Sequence, residues 1–187
     1  MQSNVLQPQS RVLQHVPRWS IIRTIRQQSV AEHSYYVALY ATFISQFLKM
    51  RVADQMYVTQ LALVHDFDEM MTGDIPTPYK ANIKAMYLGA EKYTSASTSM
   101  QLSIINTEPT NLKYCKEVVK VADLFEAKMY LVDELNMGNT TVQSLIEDIT
   151  SILVPAARNL DESLADELAN HHTDNRRTRL ATRNGLL

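Results

Sequence analysis

The sequence predicts an all-α helical bundle, and three observations carry the fold class. Apolar residues recur at helical spacing over long stretches, as at Val30, Val37, Ala41, Ile44 and Leu48. Helix punctuation brackets those stretches: Ser29 with Glu32 three residues on makes a capping box, and Asn111 and Gly138 stand before and after a second long stripe. Only 4 Gly and 6 Pro interrupt 187 residues, and strand-like alternation is scarce.

The length fits a single domain over 1–187, with a core at about 18–160 and a polar, basic tail at 171–187. One cysteine, Cys115, excludes an internal disulfide and any CxxC motif, which fits a reducing compartment. The polar start MQSNVLQPQS shows no signal peptide, and no apolar run reaches the roughly 20 residues that span a bilayer. A soluble, cytoplasmic protein is expected. A net charge of -2 argues against nucleic acid as the primary partner.

In chain order, residues 1 to about 17 read as a frayed start with Val12, Leu13 and Val16 as packing contacts. Arg18-Trp19-Ser20-Ile21-Ile22-Arg23 then sets the only tryptophan between two arginines. By itself this is a surface helix anchored by Trp19; functionally, it is an arginine for phosphate and an indole for a ring. The capped helix from Ser29 holds His33 beside its apolar stripe, where a lone histidine reads first as a core residue. Asp54 is expected to cap the next helix, with Met56, Leu61, Val64 and His65 sharing a face.

A Ser/Thr-rich helix over about 89–106 carries no chemistry. The helix after Asn111 buries Val118, Val121, Ala122, Phe125, Met129 and Val132 and brings Asp123 beside that stripe, an acid costly to bury without a cation or metal. Lys113, Lys116 and Lys120 form a basic edge ahead of it. The last helices, about 141–170, break or kink at Pro155 and restart at Asp161-Glu162. His171-His172 and Arg176, Arg177, Arg179 and Arg183 make an exposed tail.

The richest stretch is 61–80, LALVHDFDEMMTGDIPTPYK. Between His65 and Asp74 it sets four acids and a histidine in ten residues after an apolar helix. Glu69 follows His65 by one helical turn, and the turn TGD aims Asp74 back toward the same end. Imidazole with carboxylate suits a divalent transition metal and metal-assisted hydrolysis. Pro76 and Pro78 stiffen the following loop, which delivers Lys80 and, further on, Lys84.

His33, His65-Asp66 and Asp123 together form an ordered H…HD…D set on three helices. The set resembles the HD-domain metal-dependent phosphohydrolases over about 18–155. The segments RW at 18–19, VAEHS around His33, HDFDEMMTGDIPTPYK from His65 and VADLFEA around Asp123 look most like the YfbR-type 5′-deoxynucleotidases and the related DatZ-type phage dATP triphosphohydrolases. The resemblance implies that His33, His65, Asp66 and Asp123 bind the metal, that Glu69 activates or positions the attacking water, and that Asp74 supports it. It also implies that Arg18 contacts phosphate and Trp19 packs on a sugar, leaving little room for a 2′-hydroxyl. Co, Mn or Zn is the expected ion, with Mg admitted at a second site. Relatives of this kind suggest a homo-oligomer.

Two substrates fit this resemblance. A triphosphate needs more cations than a monophosphate, and Arg18, Lys80 and Lys116 or Lys113 could supply them. Ile21 and Pro78 could wall a purine edge and disfavour an exocyclic amine at C2. That reasoning leans toward hydrolysis of dATP to deoxyadenosine and triphosphate. Its alternatives are a 5′-deoxynucleotidase acting on dNMP and, in another class, a non-catalytic nucleotide-binding module.

Overall fold

The computed structural model describes residues 8–76, 105 and 107–171. Within them lie six α-helices and two 3-10 turns, Pro8–His15 and Thr140–Val142, and no strand. The expected 89–106 helix, apart from Ile105 packed on the core, falls outside the described residues, as do Pro78, Lys80, Lys84, His172 and the arginines beyond it.

Helix α1 (Val30–Phe47) starts where its caps dictate. Ser29 Oγ accepts from the Glu32 N–H at 3.2 Å, and Glu32 accepts from the Ser29 N–H at 2.8 Å. Two donors that a helix start leaves open are thereby satisfied. Val37, Ala41 and Ile44 are buried along its inner face, with His33 fully buried one turn before Val37.

Helix α2 (Val52–Val64) departs from expectation at its start. Arg51 takes the N-cap position, and Asp54 sits inside the first turn. The Asp54 carboxylate accepts from the Thr110 N–H at 2.7 Å and from Arg51 Nε at 2.9 Å, so it ties α2 to the segment entering the long helix. An acid there still complements the helix dipole. The buried face is Tyr57, Val58, Ala62 and Val64, whereas Met56 points outward. The phase follows Val58 and Ala62, which His65 continues at seven and three residues' distance and Met56 opposes.

After α2 comes a turn, then α3 (Glu69–Thr72). Gly73 closes it at φ +69, a conformation glycine adopts without cost, and its N–H reaches Glu69 O at 2.9 Å. Helix α4 (Leu112–Asn136) opens on Asn111, whose side chain accepts from the Tyr114 N–H at 3.1 Å. Such a cap contributes about 1 kcal/mol. Its stripe is buried as expected at Val118, Val121, Ala122, Phe125 and Val132.

Helix α5 (Gln143–Arg158) runs uninterrupted through Pro155, correcting the expected break. Pro155 lies in the last turn and forgoes the one hydrogen bond that its own N–H would have made to the Ser151 carbonyl. Asp161 caps α6 (Glu162–Asn170) through the Leu164 N–H at 3.0 Å. The other end of α6 is held by Lys128, a buried lysine that donates to Leu168 O at 2.9 Å and sets a cation on open carbonyls. His171, expected in solvent, instead meets the Phe125 ring edge-on at 5.7 Å.

Helices α1, α2, α4, α5 and α6 share the main core. The N-terminal stretch, expected to fray, forms the Pro8–His15 turn and buries Leu13 and Val16 with Val30 against Phe67 and Met70, while Val12 is exposed. A loop then runs from Pro17 to Ser29, closed at its base by an isolated antiparallel bridge between those two residues. The Arg18 N–H donates to Gln28 O at 2.9 Å, and the Val30 N–H to Val16 O at 2.9 Å. This arm, and not a surface helix, carries Arg18 and Trp19.

Candidate active site

His33 enters from the second turn of α1, His65 and Asp66 from the C-terminal end of α2, and Asp123 from the middle of α4. His33 Nε2 lies 3.3 Å from Asp123 Oδ1 and 3.7 Å from Asp66 Oδ2. His65 Nε2 lies 3.2 Å from Asp66 Oδ2. One ligand atom each from His33, His65 and Asp66 falls within 4.8 Å of the others. Two helices therefore bring His33, His65 and Asp66 to one point, and α4 adds Asp123, which meets them through His33.

Both imidazoles are aimed by acceptors on their far nitrogens. His65 Nδ1 meets Ala62 O at 2.7 Å, and His33 Nδ1 meets Glu126 Oε2 at 2.5 Å. A proton on each Nδ1 leaves both Nε2 lone pairs facing the carboxylates, the arrangement that outer groups impose on metal-binding histidines. The donor set thus fits a divalent transition ion, two neutral imidazoles and two carboxylates with room for further oxygen ligands.

The electrostatics agree with such a set. Burial works against ionisation of Asp66 and Asp123, yet the neighbouring imidazoles, with Arg18 beside Asp66 and Lys120 beside Asp123, hold both carboxyls below their ordinary range. For His65, burial lowers the affinity for a proton, but the adjoining Asp66 and Asp123 carboxylates outweigh it and raise that affinity. Two buried carboxylates that stay ionised are what a cation needs.

Arg18 and Trp19 sit at this cluster. Arg18 Nη1 donates to Asp66 Oδ2 at 3.2 Å, and its buried Nε has no hydrogen-bond partner among the described residues. Trp19 adopts φ +62, which costs a non-glycine residue roughly 1–2 kcal/mol. Four contacts hold it there. Its N–H donates to Asp74 Oδ2 at 3.3 Å, Nε1 donates to Gln28 at 3.0 Å, the indole stacks on Tyr130 with centroids 5.5 Å apart, and the Arg18 guanidinium lies 5.8 Å from its ring centroid.

The other candidates distribute unevenly. Glu69 is buried at the start of α3, its N–H on Asp66 O at 3.1 Å, one turn from that candidate ligand. Asp74 is joined to the arm through Trp19 and is a brace for it. Ile21 is 60% exposed, whereas Ile22 packs inward with Trp19 beside Tyr130. Lys116 is exposed two helical turns before Asp123, about 10 Å along the axis. Among the described residues, the lysine that reaches the cluster is Lys120, on Asp123 Oδ2 at 2.9 Å. Pro78 and Lys80 lie outside the described residues.

Sequence reasoning missed Gln28 and Glu126. Glu126 follows Asp123 by three residues, which places both on one face of α4, and that spacing was the available signal. Gln28 carries no comparable mark.

The family model described as 5′-deoxynucleotidase YfbR-like matches residues 9–163. A 5′-deoxynucleotidase of Citrobacter koseri is 30% identical over 144 residues, covering 68% of this chain and 71% of that one. The 5′-deoxynucleotidase YfbR of Salmonella arizonae is 28% identical over the same length. Among solved structures, the cyanophage S-2L HD phosphohydrolase DatZ, bound to dA and one catalytic Zn2+ ion, superposes with a TM-score of 0.65 at 25% identity, covering 86% of this chain and 90% of that one. A conserved hypothetical protein from Pyrococcus furiosus shares the fold alone, with a TM-score of 0.58 at 20% identity. The two histidines and two carboxylates brought to one point are thus found in a chain whose relatives carry the same fold, and it belongs to the YfbR-like 5′-deoxynucleotidase family of HD phosphohydrolases.

Proposed function

We propose that the protein is a metal-dependent phosphohydrolase that cleaves a 5′-deoxynucleoside monophosphate to deoxynucleoside and orthophosphate. The observation that carries this reading is the convergence of His33 Nε2, His65 Nε2 and the Asp66 and Asp123 carboxylates directly beside the Arg18–Trp19 arm. A divalent ion held by those four residues would act as a Lewis acid on the phosphoryl group and make water a better nucleophile there.

The remaining steps belong to side chains. Arg18, fixed on Asp66 by one nitrogen, keeps Nε and its other N–H groups for phosphate oxygens. Glu69 accepts the proton of the attacking water, a step for which a buried carboxylate one turn from Asp66 is suited. Trp19 packs on the deoxyribose, and Asp74 holds the strained Trp19 backbone in place.

A monophosphate is the first reading. Arg18 and Lys120 are at the cluster, while Lys116 stands two turns away in solvent. The relatives named above as 5′-deoxynucleotidases agree with it. Hydrolysis of dATP to deoxyadenosine and triphosphate is the second reading, supported by the likeness to DatZ. Ion chromatography of products from dAMP, AMP, dATP and dGTP with Zn, Mn, Co and Mg separates the two. Orthophosphate from dAMP, with AMP spared, is the expected result; tripolyphosphate from dATP with dAMP untouched would replace it with the second reading.

A further inference from the structure

Two buried polar side chains join Trp19 to His33, and the reaction outlined above uses only the ends of that line. Trp19 Nε1 donates to Gln28 Oε1 at 3.0 Å. Gln28 Nε2 donates to Glu126 Oε1 at 2.7 Å, and Glu126 Oε2 meets His33 Nδ1 at 2.5 Å. Gln28 is 1% exposed and Glu126 3%.

The order of groups along this line is chemically directed. An indole N–H can only donate and an ionised carboxylate can only accept, so the residue between them must accept at one end and donate at the other. The Gln28 amide does both. Each oxygen of Glu126 carries one bond, so the carboxylate cannot turn toward His33 without turning relative to Gln28. Gln28 is also fixed through its backbone, since its carbonyl accepts the Arg18 N–H at the base of the arm. A buried chain of this kind has few alternative arrangements, because any break strands a polar group away from water.

We propose that Gln28 and Glu126 are positioning residues that couple the Trp19 indole to the His33 imidazole, so that metal binding and recognition of the deoxyribose strengthen one another. The inference rests on the reading of His33 as a metal ligand and Trp19 as the sugar contact. Metal at His33 sets the ring, Glu126 and the amide, and presents Trp19 in its nucleoside-binding orientation. Reciprocally, a nucleoside held by Trp19 raises metal affinity, because the coupling between two binding sites has one value in both directions.

Trp19 is the chain's only tryptophan, so emission excited at wavelengths beyond tyrosine absorption reports on it alone. The metal-free full-length protein is titrated with Zn2+ while emission and bound zinc are followed separately, and deoxyadenosine affinity is measured by calorimetry with and without Zn2+. The wild-type chain is expected to change emission as one zinc binds and to take deoxyadenosine more tightly when zinc is present. Gln28→Leu and the unbranched Gln28→Met should still bind zinc, lose more than half of the emission response, and bind deoxyadenosine equally with and without zinc. Glu126→Gln should lower zinc affinity by about 10–100-fold, the usual cost of removing an outer partner of a ligating histidine.

The coupling is overturned by wild-type zinc uptake without an emission change, or by a folded Gln28 variant that keeps the full zinc-dependent response. Circular dichroism checks the fold of each variant, and two different replacements at Gln28 guard against one that misfolds. Orthophosphate release from dAMP by wild type is measured on the same preparations. A failed coupling with intact turnover overturns this inference alone, whereas absent turnover with intact coupling overturns the proposed reaction alone.

Discussion

Glu69 separates holding the metal from using it. As a proton acceptor that is not among the ligands, its replacement in Glu69→Gln should lower kcat by roughly 10²–10⁴-fold while zinc content stays at the wild-type level. Parallel turnover and metal analysis checks both halves, and a variant with normal kcat would move the proton transfer to another group. Trp19→Ala should instead act on selectivity, narrowing the ratio of kcat/KM for dAMP over AMP by about tenfold or more, as loss of a close-packed wall does. The four candidate ligands were legible in the sequence because histidine and aspartate at a helix end or beside an apolar stripe have few inexpensive explanations. Gln28 and Glu126 were not, since their partners stand 98 and 93 residues away and a glutamate on a charged helix ordinarily faces solvent. The left-handed Trp19 backbone was illegible for a related reason: only the surrounding contacts make that conformation tolerable.

The arm from Pro17 to Ser29 is an element without regular structure, held in place by groups on α4. Glu134 is fully buried and accepts from the Ile25 and Arg26 N–H groups at 2.5 and 2.8 Å and from Asn139 Nδ2 at 3.0 Å. Asn139 also reaches Arg23 O at 2.8 Å, and the Tyr130 hydroxyl donates to Arg26 O. Glu134→Ala strands several buried donors, so it should cost about 3 kcal/mol in urea unfolding and raise KM more than it lowers kcat. Stability unchanged from wild type would show that the latch is dispensable. The helices themselves were read correctly from caps and periodicity, at Ser29, Asn111 and Asp161. The arm was misread as a helix because its anchors lie more than one hundred residues away.

Asp54 gives α2 its own pH signature. The Arg51 guanidinium, then the Thr110 N–H and hydroxyl, hold its carboxyl at about 2, below the ordinary 3.8. The folded form therefore binds this proton less readily than the unfolded form. Its contribution is complete above about pH 4 and is lost as pH falls through about 2. Thermal melts between pH 5 and 2 should show Asp54→Asn to be less stable than wild type at pH 5 and to converge with it near pH 2. A constant gap across that range would place the stabilisation elsewhere.

At the scale of the molecule, the site closes a triangle between α1, the end of α2 and α4, so an ion there cross-links the helices that share the core. Chelation should lower Tm: saturation at one hundred times Kd stabilises by about 2.7 kcal/mol, roughly 5–10 °C for a chain of this size. Scanning calorimetry before and after EDTA tests this, and an unchanged Tm would deny the cross-link. No described helix is long and apolar enough to cross a membrane. Fold class and family were readable at this scale because the ordered H…HD…D set, from His33 to Asp123, spans about half of the chain. The phosphate count was not, since lysine spacing along a helix does not say which amine bends to the cluster, and Lys120 reached it where Lys116 did not.

The central claim is that His33, His65, Asp66 and Asp123 grip one ion through the inward-facing imidazole nitrogens. Anomalous diffraction at the zinc edge, on crystals of the full chain with one equivalent of Zn2+, measures this directly. The account predicts a single strong peak about 2.1 Å from Nε2 of both His33 and His65 and in reach of both carboxylates. A peak bound through Nδ1, or one that leaves His33 on Glu126 and outside the coordination sphere, would contradict it.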